Sequence, residues 1–258
     1  GEGVEDFQPG DIVCTSAHVP CGRGIWCREG REAWCEDKLH VGINLPGAFA
    51  ELIAMPAAGL VKVPKSLDDA SVACLQPLSS AVAVMHDVDI RPGESVAITG
   101  QGAMGLYILQ IARICGASAV YVSDVKEESF ALSRKFGADA IINAREEEPV
   151  ERVRELTGGK GVDIVFECAG GTPDYGLSGH ETLHQALKMV RLGGRVMQVA
   201  GLVGEVKIDP VFMRMAGIRW IFPEGHGRDT VALGAKWVAS GRVDVRSLIT
   251  HEKRGIEN

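Results

Sequence analysis

The sequence predicts an α/β chain in which a doubly wound parallel sheet is preceded by a smaller β-rich unit. Three observations predict it. From about residue 95, short runs rich in β-branched residues alternate with stretches of helical apolar spacing. Those runs are apolar on both faces, as strands covered by helices on two sides must be. The first eighty residues instead break into short runs between prolines and glycines, with no long helical period before residue 70. At 258 residues, 46% hydrophobic and 24% charged, the chain can bury a sizeable core as one large or two modest domains, and it lies far from the composition of disorder.

In the β-rich part, Asp11 to Cys14 and Leu60 to Val63 read as strands, and a helical segment over 69–87 leads onward. Six candidate parallel strands follow: Ser95 to Thr99, Ala119 to Ser123, Ala140 to Asn143, Asp163 to Glu167, Arg195 to Val199 and Ile218 to Phe222. Between them, Met104, Ile108, Ile111 and Ala112 recur at helical spacing before Gly116. Phe130, Leu132 and Phe136 precede Gly137, and Val150, Val153 and Leu156 precede Gly158, each glycine acting as a stop. A last helix is predicted from about Asp229 to Ala239, before Gly241.

Lysine plus arginine (27) against aspartate plus glutamate (34) leaves a net charge of −7, which supplies no electrostatic footprint for nucleic acid or anionic membrane. Glu51, Lys62, Lys65 and Arg113 interrupt the most apolar stretches, so none reaches the ~20 residues of a membrane span. The opening GEGVEDFQPG lacks the layout of a signal peptide, and seven cysteines suit free thiols or metal better than disulfides. A cytoplasmic protein is expected.

The sharpest local signal is Gly100-Gln101-Gly102-Ala103-Met104-Gly105, which follows the strand SVAIT and opens a helix. In a G-x-G-x-x-G at such a junction the first glycine makes the tight turn, the second admits a pyrophosphate close to the backbone, and the third lets helix and strand pack. Asp124 ends the next strand, where a carboxylate accepts hydrogen bonds from ribose hydroxyls and repels a 2′-phosphate; NAD is therefore expected over NADP. Capping of the following turn is a compatible second role for Asp124. Ala169 and Gly170 after the fourth strand, and Ala200 and Gly201 after the fifth, are small enough to let a ligand cross the sheet edge.

Cys21, Cys27 and Cys35 crowd into one glycine-rich segment as C-x2-G-x2-C-x7-C, three thiols where a closed zinc site takes four. Cys14, Asp37 and His40 are alternative fourth ligands. An empty lobe holding no metal is the competing reading. The histidines 18, 40, 86, 180, 184, 226 and 251 show no triad or metal spacing, and His180 with His184 reads as a polar helix face.

Taken in order, QPGDIV, the cysteine segment, GAFAELIAMPAAGLVKVP, LQPLSSA, PGESVAITGQGAMG, KFGADAIIN, GGKGVDIVFECAG, LGGRVMQVAG and ASGRVDVRSLITH resemble the zinc-dependent medium-chain alcohol and polyol dehydrogenases over essentially the whole chain. The resemblance implies a Rossmann dinucleotide-binding domain at 78–222, part of a GroES-like catalytic domain at 1–77, and the start of its return segment at 223–258. It implies NAD, zinc, an alcohol or ketone substrate bound in an interdomain cleft, and a homodimer or homotetramer. Two departures stand out. Gly24 replaces one of the four cysteines that hold structural zinc. Gln76 stands where polyol dehydrogenases carry a glutamate near catalytic zinc, and a neutral amide is a poorer ligand than a carboxylate. Cys74 is a candidate replacement, and Ser80, with Ser79 beside it, matches a small hydroxyl residue near the nicotinamide. Against the family pattern the chain begins after the early catalytic segment and stops before the returning strands, so a longer polypeptide is expected. The function implied is reversible oxidation of a secondary alcohol or polyol with NAD. A non-catalytic NAD-binding relative competes with it on the strength of Gln76 and Gly24, and a zinc-free NAD(P)H reductase is opposed by the cysteine lobe.

Overall fold

A computed structural model of the protein describes residues 2–170 and 180–253, in two compact units. One spans residues 84–223; the other combines residues up to 83 with those from 224 onward.

The first of these holds six parallel strands in the order β10-β9-β8-β5-β6-β7: β5 (Ser95–Thr99), β6 (Ala119–Asp124), β7 (Ala140–Asn143), β8 (Val162–Glu167), β9 (Val190–Gln198) and β10 (Arg219–Ile221). The order reverses at β5, which lies between β8 and β6, and this reversal is the switch point where ligands bind in open α/β sheets. Val96, Ile98, Ile164, Val165, Phe166 and Val196 are fully buried whichever way they point, because helices cover both faces. Those helices are α4 (Ala103–Ile114), α5 (Phe130–Lys135), α6 (Pro149–Leu156), α7 (Glu181–Met189) and α8 (Pro210–Ala216).

The fold class matches the sequence reading, with two local differences. Strand β9 starts at Val190, five residues before the predicted Arg195. Val162 pairs with Val190 while Ile164 pairs with Arg195, so residues 191–194 bulge out; the Gly193-Gly194 pair that permits the bulge also hides the strand from an apolar pattern. Helix α8 is capped by Asp209, whose side chain accepts from the N–H groups of Val211 and Phe212, and its single short face carries too little periodicity to be read.

In the second unit, β1 (Val13–Thr15) pairs antiparallel with β4 (Leu60–Lys62), and β2 (His18–Val19) with β3 (Leu39–His40). The short α1 (Ile25–Arg28) lies in the cysteine segment. The predicted helix over 69–87 is two helices, α2 (Asp69–Ala73) and α3 (Leu75–Val88), broken at Cys74. Pro77 is the reason: its ring would strike the carbonyl four residues back, at Ala73, so it can occupy only the first turn of a new helix. Helix α9 (Arg228–Ala239) packs on α3 where Gly234 leaves Leu78 in contact; a Cβ at 234 would stand 3.3 Å from Leu78 Cδ2. Among the described residues no helix is long and apolar enough to cross a membrane.

A buried ion pair holds the base of the parallel sheet. The Arg195 side chain is 5% exposed and pairs with the Glu94 carboxylate, itself 15% exposed. Glu94→Ala strands the guanidinium without a counter-charge, a change expected to destabilise this unit by about 3–5 kcal/mol; chemical denaturation followed by far-UV circular dichroism measures it, and an unchanged midpoint would refute the assignment.

Candidate functional site

The glycine loop turns at the carboxyl end of β5. Gly100 has φ +84, and a Cβ there would lie 2.7 Å from Ala169 Cα. At Gly105 a Cβ would meet the Gly100 carbonyl at 1.9 Å. Both glycines are therefore required by protein packing alone. Gly102 is different. It has an ordinary φ of −72, and nothing lies within 4 Å of its Cβ position. It is the N-cap of α4, no side chain caps that helix, and the space before its free N–H groups is what a pyrophosphate needs. Ala103 and Met104 form the first turn.

Asp124 ends β6 with its carboxylate turned to this loop: Oδ2 accepts from the Gln101 N–H and Oδ1 from the Lys126 N–H at 2.8 Å. One carboxylate thus braces the glycine turn and caps the turn after β6, and each oxygen keeps a lone pair for a ribose hydroxyl. After β8, a Cβ on Gly170 (φ +43) would meet Ala200 Cβ at 2.3 Å, whereas Gly201 faces open space. Gly171 lies outside the described residues. Cys168 is half-buried, and desolvation, then the neighbouring Glu167 charge, push its thiol well above the usual range, so it is no nucleophile. His180 and His184 are more than a polar face: each Nε2 lies 2.9 Å from a carbonyl oxygen, of Val203 and Lys207 respectively.

The other unit holds a polar cluster that no sequence spacing announces. Gln76 Nε2 lies 3.1 Å from His226 Nε2, and Ser80 Oγ lies 3.2 Å from His226 Nδ1. Residues 76 and 80 share a face of α3 one turn apart, but His226 comes from 150 and 146 residues away, in a glycine-rich turn before α9. Ser79 instead donates to the Gln76 carbonyl at 2.6 Å. His18 stacks at a tilt 5.5 Å from His226, is 7% exposed, and has no partner for its Nε2. Burial, then the neighbouring His226, Lys38 and His40, press the His18 pKa down to about 4, with Glu32 acting the other way. His226 is lowered too, mainly by burial. Cys74 caps the end of α2 and is half-buried.

Cys21, Cys27 and Cys35 converge, their sulfurs all within 4.8 Å of one another, and among the described residues this is the only such group of three or more metal-ligating side chains. Cys14, Asp37 and His40 lie outside it. Cys14 sits on β1 with its thiol directed to the Thr15 carbonyl. Backbone N–H groups aim at the sulfurs: Gly24 at Cys21 and Cys21 at Cys35, both 3.3 Å. The Arg23 N–H, then the Gly24 N–H and the Cys35 thiol, draw the Cys21 pKa down to about 7. A soft, preorganised set of three sulfurs fits zinc, and Gly24 adjoins it, its Cβ position 3.5 Å from Cys21 Sγ. The lobe has supports of its own: Arg31 lies 3.6 Å over the Trp34 ring, Trp34 meets Trp26 edge-on at 4.9 Å, and Arg228 pairs with Glu32.

Two family descriptions match this chain: an alcohol dehydrogenase GroES-like domain over residues 1–65 and a zinc-binding dehydrogenase over residues 103–221. L-threonine 3-dehydrogenase of Thermococcus kodakarensis KOD1 is 33% identical over all of this chain and 71% of its own length. Sorbitol dehydrogenase of Bacillus subtilis 168 is 31% identical over 98% of this chain and 69% of its own. Among solved structures, a protein of Sinorhizobium meliloti 1021 described as a zinc-binding dehydrogenase and bound to NADP superposes with a TM-score of 0.88 at 28% identity, covering 97% of this chain and 72% of the other. The chain belongs to the zinc-type medium-chain alcohol dehydrogenase family, and it is an oxidoreductase of the hydride-transferring kind.

Two predictions follow from this geometry. Gly24→Cys completes a four-thiolate set and is expected to convert weak, exchangeable zinc into a stoichiometric ion that resists a chromophoric chelator; equal chelator sensitivity would exclude Gly24 as the open corner. His18 has a folded pKa below its unfolded value near 6.5, so it binds its proton more readily when unfolded. Its contribution to stability is full above about 6.5 and is lost as pH falls towards about 4. The melting temperature should fall across that window, and less steeply in His18→Asn.

Proposed function

We propose that the protein oxidises a secondary alcohol or polyol reversibly to a ketone with NAD+. The carbinol carbon delivers hydride to the nicotinamide C4 and the hydroxyl proton is released, giving ketone, NADH and H+. The observation that carries the cofactor reading is Gly102: of the loop glycines 100, 102 and 105, it is the one whose Cβ position faces open space, before the uncapped N-terminus of α4. Ala103, Met104, Ala169, Ala200 and Gly201 line the same strand ends. Asp124 favours NAD, since a 2′-phosphate beside its carboxylate meets like charge; the NADP-bound relative makes this the point to test.

Zinc would be held by Cys21, Cys27 and Cys35, where it ties the lobe together and supplies no chemistry to the substrate. Gln76 offers only a neutral oxygen beside Ser80, so this chain's own contribution at the α3 cluster is hydrogen bonding. The acidic balance of −7 supports a protein without nucleic-acid or membrane partners, and a cytoplasmic homodimer or homotetramer acting on a small molecule fits the family.

Formation of NADH with a panel of secondary alcohols and polyols, before and after chelation, tests the reading. Turnover is expected with NAD+. NAD binding without turnover would favour a non-catalytic relative, and chelator-resistant reduction of ketones or enones a zinc-free reductase. Asp124→Ser should weaken NAD binding and narrow its advantage over NADP, by about 1–2 kcal/mol for the lost charge-assisted hydrogen bonds; unchanged dissociation constants for both would remove Asp124 from the site.

A further inference from the structure

His226 sits between Gln76 and Ser80, and the chemistry of its two neighbours dictates its protonation. With its amide turned as it is, Gln76 brings Nε2, a donor only, to 3.1 Å from His226 Nε2, and in that orientation the ring nitrogen presents a lone pair. A neutral imidazole has one N–H, which is then on Nδ1, 3.2 Å from Ser80 Oγ. Desolvation, and after it the Lys38 charge, favour the neutral ring, while the Ser16 backbone acts the other way. With Ser80 Oγ accepting from the ring, the hydroxyl's own hydrogen is directed elsewhere. A glutamate at position 76 would reverse every link: a carboxylate only accepts, the ring N–H would move to Nε2, and Ser80 would spend its hydrogen on Nδ1.

We propose that Gln76 sets the tautomer of His226, and that both are positioning residues. Through them Ser80 presents an O–H donor to the oxygen of the ketone or alkoxide. The direction of the chain runs from the Gln76 amide to His226, to Ser80, and out to the reacting oxygen. An alkoxide or carbonyl oxygen is an acceptor, so this polarity suits it, and the reversed polarity would not. The proposal rests on the dehydrogenase reading for its last link alone; the first two belong to the folded chain.

The test separates the two. Nitrogen-resolved NMR of the protein labelled with 15N-histidine, with His226→Asn to assign the ring, reports the tautomer without any substrate. The Nδ1–H form is expected in the native protein, and the Nε2–H or doubly protonated form in Gln76→Glu. An Nε2–H ring in the native protein, or the same form in both, overturns the proposal. In turnover, Ser80→Ala is expected to lower kcat by about 10²-fold with little change in KM, as loss of an oxyanion donor does; a change confined to KM also overturns it. If the Nδ1–H ring is found and no alcohol yields NADH in any of these proteins, the dehydrogenase reading fails while the hydrogen-bond chain stands.

Discussion

The arrangement of the nucleotide-binding unit depends on one buried carboxylate. Glu167 ends β8 with no exposure at all, and a carboxylate in such a place persists only if its oxygens are hydrogen-bonded. Four donors meet it. Oε1 accepts from the Ala169 N–H at 3.1 Å, the Gly170 N–H at 2.8 Å and the Thr182 hydroxyl at 2.8 Å, while Oε2 accepts from Gln198 Nε2 at 2.8 Å. These donors come from the loop after β8, from α7 and from β9. The Glu167 carbonyl adds the N–H groups of Val199 and Ala200. The loop after β8 is thereby folded back over the strand ends, and its position is what forbids a side chain at Gly100 and at Gly170. The need for glycine in the nucleotide loop follows from a glutamate 67 residues away as much as from any ligand.

A division among the glycines comes with this. Gly100, Gly105 and Gly170 are glycine because protein atoms already occupy the Cβ position; Gly102 and Gly201 face space that protein does not fill. A hexapeptide motif cannot separate the two kinds, since all its glycines look alike in a sequence. Their surroundings do: protein atoms explain the first three, and leave Gly102 and Gly201 unexplained by packing.

The strands of the large sheet were legible because burial on both faces leaves β-branched runs that nothing else explains, and the glycine stops marked most helix ends. What escaped had physical reasons to escape. Residues 191–194 bulge through two glycines; α8 is too short to show a period; the break at Cys74 is caused by Pro77, whose effect falls four residues upstream. The three cysteines converge because local turns of the lobe bring them together, a short-range matter that spacing can express. His226 is the opposite case. It reaches Gln76 and Ser80 across some 150 residues, from a turn whose glycines and glutamate suggest only a loop, and no spacing rule covers a contact made by the closure of α9 onto α3.

The two polar centres of the smaller unit differ in a way that decides what each can hold. The lobe gathers three thiols, and backbone N–H groups favour the charged form of one of them, Cys21, so it has negative charge to offer a cation. The cluster on α3 gathers an amide, a hydroxyl and two imidazoles that burial keeps neutral, so it has dipoles and no charge. Charge held in fixed geometry retains a metal ion. Neutral dipoles in a desolvated setting orient a proton and stabilise a partial charge, and they do so more strongly than in water because the surrounding dielectric is low. Gln76 brings no charge to this cluster, so that corner of the unit offers hydrogen bonds rather than a charged ligand, and in the proposed chain His226 transmits their direction.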